Sequence, residues 1–118
     1  MSGIVGTSHS KSKEIGKSHD TAKAWVYYKS SDVTIRESFN ISSLDDRGTG
    51  ISTANFIQPF ETDKFVGCVS ATHGGASAAN RCGSSQAHRT STAWLNIWQG
   101  TTANLADADY VSAAFFGK

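Results

Sequence analysis

Alternation of apolar and polar positions with a period of two runs through this chain and is densest between Lys23 and Gly50. Val33, Ile35, Phe39 and Ile41 fall on one side of the pattern, and Thr34, Arg36, Ser38, Asn40 and Ser42 fall on the other, with Glu37 the single polar residue on the apolar side. Successive residues of a strand point to opposite faces of its sheet, so this segment reads as one long, half-buried strand. Ala24-Trp25-Val26-Tyr27-Tyr28 reads as another, built from the aromatic and β-branched residues that suit a pleated surface. Lys29-Ser30-Ser31-Asp32 between them is a polar turn of hairpin length. Asp45-Asp46-Arg47-Gly48-Thr49-Gly50 reads as a further reversal, since glycine accepts the positive φ that tight turns need.

Continued along the chain, the same reading places strands near 23–28, 32–42, 50–58, 64–72, 90–98 and 109–116. No long amphipathic helix is visible. The spacing predicts an all-β fold, a small antiparallel β-sandwich or barrel of about six to eight strands. Residues 1–20 differ from the rest, with Ile4, Val5 and Ile15 their only sizeable apolar side chains. Such a segment buries no core of its own and reads as an extended N-terminal arm ahead of a domain over 21–118. Gly74 to Ala87 reads as a long loop of small residues.

Several strands carry apolar groups on both faces. Ala93, Leu95 and Ile97 alternate with Trp94 and Trp98, and Tyr110, Ala114 and Phe116 alternate with Val111, Ala113 and Phe115. In a single-core domain one sheet face normally meets water, so two-sided strands predict a subunit interface, with Trp25, Tyr27, Trp94, Trp98, Phe115 and Phe116 as candidates. The opposing reading is that these side chains fill a thick monomer core.

The net charge of +1 gives no electrostatic argument for nucleic acid or an anionic membrane. No apolar run approaches the roughly 20 residues of a membrane span, and the N-terminal segment lacks the apolar stretch of a secretory signal. The expectation is a chain made in a cytoplasm with its two cysteines reduced, Cys68 buried as a small apolar residue and Cys82 exposed in the loop.

The order AKAW, a short turn, TIR-S-FN-SS, then D--GTG and NF resembles the C-terminal tip domains of bacteriophage tail-fibre proteins of the type seen in marine phages and cyanophages. The matching residues are Ala22, Lys23, Ala24, Trp25, Thr34, Ile35, Arg36, Ser38, Phe39, Asn40, Ser42, Ser43, Asp45, Gly48, Thr49, Gly50, Asn55 and Phe56. Asp109-Tyr110-Val111-Ser112 and Phe116-Gly117-Lys118 are similar to the ends of those chains, while Cys68 to Ala106 is nearly unmatched. The resemblance implies a virion structural protein that assembles as a homotrimer and contacts the host cell surface. It carries no catalytic motif. These residues hold no fibre shaft, so a capsid or tail decoration protein that docks to another virion protein through residues 1–20 is the alternative.

The chemical motifs are weak. Gly16-Lys17-Ser18 looks like the end of a phosphate-binding loop, but the glycine required five residues earlier is Lys11. His9, His19, His73, His88 and the cysteines show no metal-ligand spacing, and no cofactor is expected. No Gly-x-Ser-x-Gly elbow is present. Asp45 and Asp46 with Glu61 and Asp63 are possible glycosidase carboxylates, but turn chemistry explains the first pair. Asn40-Ile41-Ser42 fits an N-glycosylation pattern and reads instead as the polar face of a strand.

Binding is what remains. Receptor contact is expected from the loop between His73 and Arg89, with His73, Asn80, Arg81, Gln86, His88 and Arg89 as the polar candidates. A second alternative is a carbohydrate-binding module, in which Trp94, Trp98, Tyr27 and Tyr28 stack on sugar rings and neighbouring Asn, Asp and Gln take the hydroxyls. The tryptophans read more readily as core or interface anchors.

Overall fold

The computed structural model describes residues 21–74, 81–100 and 104–117. These residues form eight strands and no helix: β1 (Ala22–Lys29), β2 (Thr34–Phe39), β3 (Ile41–Gly48), β4 (Ile51–Phe56), β5 (Val66–Thr72), β6 (Arg81–Arg89), β7 (Thr92–Gln99) and β8 (Tyr110–Phe116). They make two four-stranded antiparallel sheets, the first in the order β2-β1-β8-β5 and the second in the order β3-β4-β7-β6. The sheets pack as a sandwich, the all-β architecture that the strand spacing predicts. The N-terminal arm expected over 1–20 lies outside the described residues.

The long strand expected over 32–42 is two strands in different sheets. At Asn40 the backbone takes a left-handed φ of 60°, which Asn tolerates better than most residues, and the chain passes there from the first sheet into the second. Asn40 Nδ2 donates to the carbonyls of Lys23 at 3.2 Å and Gln58 at 3.1 Å, and its Oδ1 accepts from the Gln58 amide at 2.7 Å. This side chain is a corner post rather than part of a polar strand face.

The alternation also slips within β2. Trp25 pairs with Phe39, Val26 with Ser38 and Tyr27 with Glu37, but Tyr28 pairs with Ile35, which leaves Arg36 as a β-bulge. An extra residue in one strand reverses the parity of the residues on its far side. Ile35 therefore packs against the core, whereas Phe39 is paired on the outer side and is 51% exposed. Glu37, opposite outward Tyr27, is a solvent-side residue and no longer an exception.

A strand replaces the second half of the loop expected over Gly74 to Ala87, because Arg81–Arg89 is β6 and pairs with β7 along its length. Its small residues hide it from β-propensity, yet tertiary packing needs them. A Cβ added to Gly67 would collide with Ser85 Oγ, and one added to Gly83 would collide with Val69 Cγ1. The two sheets thus close on each other along β5 and β6 only because the side chains there are small. The reversal expected at 45–50 is confined to Gly48–Gly50, while Asp45, Asp46 and Arg47 belong to β3.

The core is continuous but changes character along its length. Val26, Tyr28, Val111 and Phe115 from the first sheet and Ala54, Leu95 and Ile97 from the second are all at most 1% exposed. At one end the Phe56 ring lies 5.1 Å from Phe60 and 5.2 Å from Phe115, and Phe60 stacks on Phe65 at 4.3 Å. At the other, the hydroxyls of Tyr28 and Ser52 meet at 3.0 Å across the sandwich, and burial pushes the Tyr28 hydroxyl up to about 12. The Ala108 amide donates to Ser30 Oγ at 2.7 Å and the Gly50 amide to Asp107 Oδ1 at 2.8 Å, which ties the segment before β8 to both sheets.

Two expectations for single side chains are overturned. Cys68 is exposed, because its neighbours Gly67 and Val69 are the ones that turn toward β6. Cys82, beside Gly83, is likewise exposed on the outer face of the second sheet. The two thiols sit on opposite outer faces and cannot pair within one chain. Phe115 is fully buried in the core, so its side chain is not available to a subunit interface.

Candidate binding surfaces

β7 organises the outer face of the second sheet. Ala93, Leu95 and Ile97 are fully buried on the inner face, so Trp94, Asn96 and Trp98 stand on the outer one, each partly exposed. Register places Asp45, Thr53, Trp94 and Gln86 in one row across the sheet, and Ile51, Asn96 and Ser84 in the next. Trp98 Nε1 donates to Ser84 Oγ at 3.4 Å, and the His88 ring meets Trp94 edge to face at 5.6 Å. These rings stand among hydroxyls, amides and charged groups.

Two bulges build the rims of this face. In β6, Ala87 pairs with Ala93 and Arg89 with Thr92, so His88 is the extra residue, and His88 and Arg89 come to the same side. In β3, Asp46 pairs with Ser52 and Gly48 with Ile51, which leaves Arg47 unpaired at the other edge of the sheet. Arg47 Nε donates to Thr53 Oγ1 at 3.3 Å, and its Nη2 lies 3.6 Å from Asp45 Oδ2. Asp45 in turn accepts from Asn55 Nδ2 at 3.1 Å. Between the rims lies a cleft of about 210 Å³ lined by Arg47, Thr53, His88, Arg89, Ser91, Thr92 and Trp94. Thr53 is only 2% exposed although it faces outward, and Thr92 Oγ1 is buried with no hydrogen-bond partner.

The six receptor-contact candidates do not form one site. Gln86, His88 and Arg89 come together with Trp94 on the outer face just described. Arg81 starts β6, about 26 Å from Arg89 by the rise of a strand, and its Nε donates to the Asp107 carbonyl at 3.0 Å. His73 follows β5 and lies 3.7 Å from Asp109 Oδ2, which also accepts from the Gly74 amide at 2.8 Å. Asn80 lies outside the described residues.

The outer face of the first sheet is different. One row places Phe39, Trp25, Ala114 and Cys68 side by side, flanked by Phe116 paired with Val66. Trp25 is 37% exposed and Val66 62%. A shallow, mostly apolar groove of about 360 Å³ runs between Trp25, Tyr27, Cys68 and Ala114, with Ser70 and Ser112 its polar members. Further along, the Arg36 guanidinium lies over the rings of Tyr27 at 5.3 Å and Tyr110 at 4.8 Å, and those two rings stack at 6.4 Å. Tyr28 is absent from either surface, because it is wholly buried with its hydroxyl on Ser52, and stacking on a sugar is closed to it.

Set against family models, curated proteins and solved structures, the chain matches none. Among the described residues no three His, Cys, Asp or Glu side chains gather as a metal site.

Arg47, Thr53 and Thr92 have no counterpart among the residues singled out from sequence. Arg47 sits in Asp-Asp-Arg-Gly, which reads as a turn, and threonines on a strand look like ordinary polar positions. Only the bulges and the lateral order β3-β4-β7-β6 bring them beside Trp94.

Proposed function

We propose that this chain acts as a tail-fibre-like tip domain of a bacteriophage virion, non-enzymatic, associating as a homotrimer and touching the host cell surface. The observation that carries this reading is the contrast between the two outer faces. Trp94 and Trp98 stand among Thr53, Ser84, Gln86 and Asn96 on the second sheet, whereas Trp25 and Phe39 stand among Val66, Cys68 and Ala114 on the first. Aromatic rings flanked by polar groups suit a hydrated surface that stacks on sugars. An apolar face gains by burial against another chain. Association is therefore assigned to the first sheet and host-surface glycan to the second. The resemblance over Ala22 to Phe56 supports placement in a phage fibre, and residues 1–20 are assigned to attachment on another virion protein.

Two measurements test it. Antibody against the domain is expected to block phage adsorption and to label the fibre tip; label on the head would replace this reading with that of a decoration protein. Light scattering is expected to return the mass of three chains, and a clean monomer would remove the assembly assigned to the first sheet.

A further inference from the structure

We infer that the cleft on the outer face of the second sheet binds an acidic sugar, with its carboxylate on Arg89 and Arg47 and its ring against Trp94. This rests on the glycan-binding part of the proposed function and names the ligand class.

Charge comes first. Two guanidiniums line the cleft, and the one carboxylate paired with them is Asp45, 3.6 Å from Arg47. The neighbouring Asp46 accepts from the Gly48 amide at 3.0 Å and does not line the cleft. Among the described residues Arg89 makes no ion pair. The cleft therefore keeps an uncompensated positive charge, in the residue type whose planar fork of donors matches a carboxylate. Arg47 is already oriented by Thr53 Oγ1 and Asp45, so less conformational entropy is lost when an anion arrives.

The remaining groups select a sugar over a bare anion. Trp94 supplies an aromatic wall, held by the edge-to-face contact with His88. Ser91 and Thr92 also line the cleft and bring hydroxyl-bearing side chains to it. The volume of about 210 Å³ lies below the roughly 300–1,000 Å³ of clefts that enclose drug-sized molecules, and it suits a single pyranose.

The test uses the full chain and a panel of methyl uronides, each matched to the neutral glycoside that differs only in carrying a hydroxymethyl group in place of the carboxylate. Titration followed by NMR is expected to show saturable binding of at least one uronide, at least about tenfold tighter than its neutral partner. R89Q is expected to remove that preference and W94A to abolish binding of both sugars, with thermal melting confirming that each variant is folded. Equal binding of uronide and neutral sugar overturns the acidic preference and leaves glycan binding standing. Equal binding of inorganic sulfate reduces the cleft to an anion site and overturns the sugar assignment. If no sugar of the panel binds while antibody still blocks adsorption, this inference fails and the proposed function survives; if neither effect is seen, both fail.

Discussion

The two outer faces of the sandwich carry similar aromatic side chains in opposite surroundings. On the first sheet Trp25 and Phe39 sit in a row with Ala114 and Cys68. On the second, Trp94 sits in a row with Asp45, Thr53 and Gln86, and Trp98 donates to Ser84. A ring among apolar neighbours adds to an apolar patch, whereas a ring among donors and acceptors leaves those groups hydrated until a polar ligand replaces the water. The neighbours across the strands decide what a surface tryptophan is for, and those neighbours are set by register.

The contrast collapses if the first face is not a surface at all. Phe115 and Phe116 are adjacent in β8 but point to opposite sides, the first fully buried and the second only partly. Phe115→Ala is expected to cost about 3–5 kcal/mol in denaturant unfolding. Phe116→Ala, measured at a protein concentration too low for association, should cost less than about 1 kcal/mol. Equal losses would mean that the outer face is core.

Burial in the core also shows through pH. The Tyr28 hydroxyl is raised to about 12 by burial, whereas Tyr27 lies on the outer face beside Arg36. A folded-state value above the unfolded value near 10 means that unfolding releases a proton at high pH, so the contribution of Tyr28 is intact below about pH 10 and falls away as pH rises toward 12. The loss should reach on the order of 2–3 kcal/mol, because each tenfold difference in proton affinity between the folded and unfolded chain is worth about 1.4 kcal/mol. In alkaline unfolding series Tyr28→Phe should flatten this decline.

The smallest effect bears on the contrast between the faces directly. Cys68 and Cys82 are both exposed on the single chain, one on each outer face. If chains associate through the first sheet, maleimide should label Cys82 at an unaltered rate and Cys68 several-fold more slowly, with the difference vanishing on dilution. Equal rates at every concentration would move association elsewhere.

Much of the fold was legible in the sequence. Ala24, Val26 and Tyr28 alternate cleanly with Trp25 and Tyr27, and β1, β7 and β8 fall close to the segments that alternation marks. Arg81–Arg89 was illegible because a strand that packs on another through Gly83 and Ser85 has the composition of a loop. The division of 32–42 was hidden because Asn40 preserves the period-two pattern while turning the backbone. Of the candidate site, Trp94, His88 and Arg89 were visible as residue types suited to binding, though not as neighbours.

The information carried along the chain is local: where strands form, which side chains favour burial, and where glycine and asparagine allow a reversal. These depend on a residue and its near neighbours, so they can be read without the fold. Which strands lie side by side, and on which face a residue past a bulge emerges, depend on pairings between distant segments. Arg36, Arg47 and His88 are each displaced by one extra residue in a ladder, and a slip of one reverses every face beyond it. The cleft at Trp94 exists because two such slips, in β3 and β6, flank the same pair of central strands.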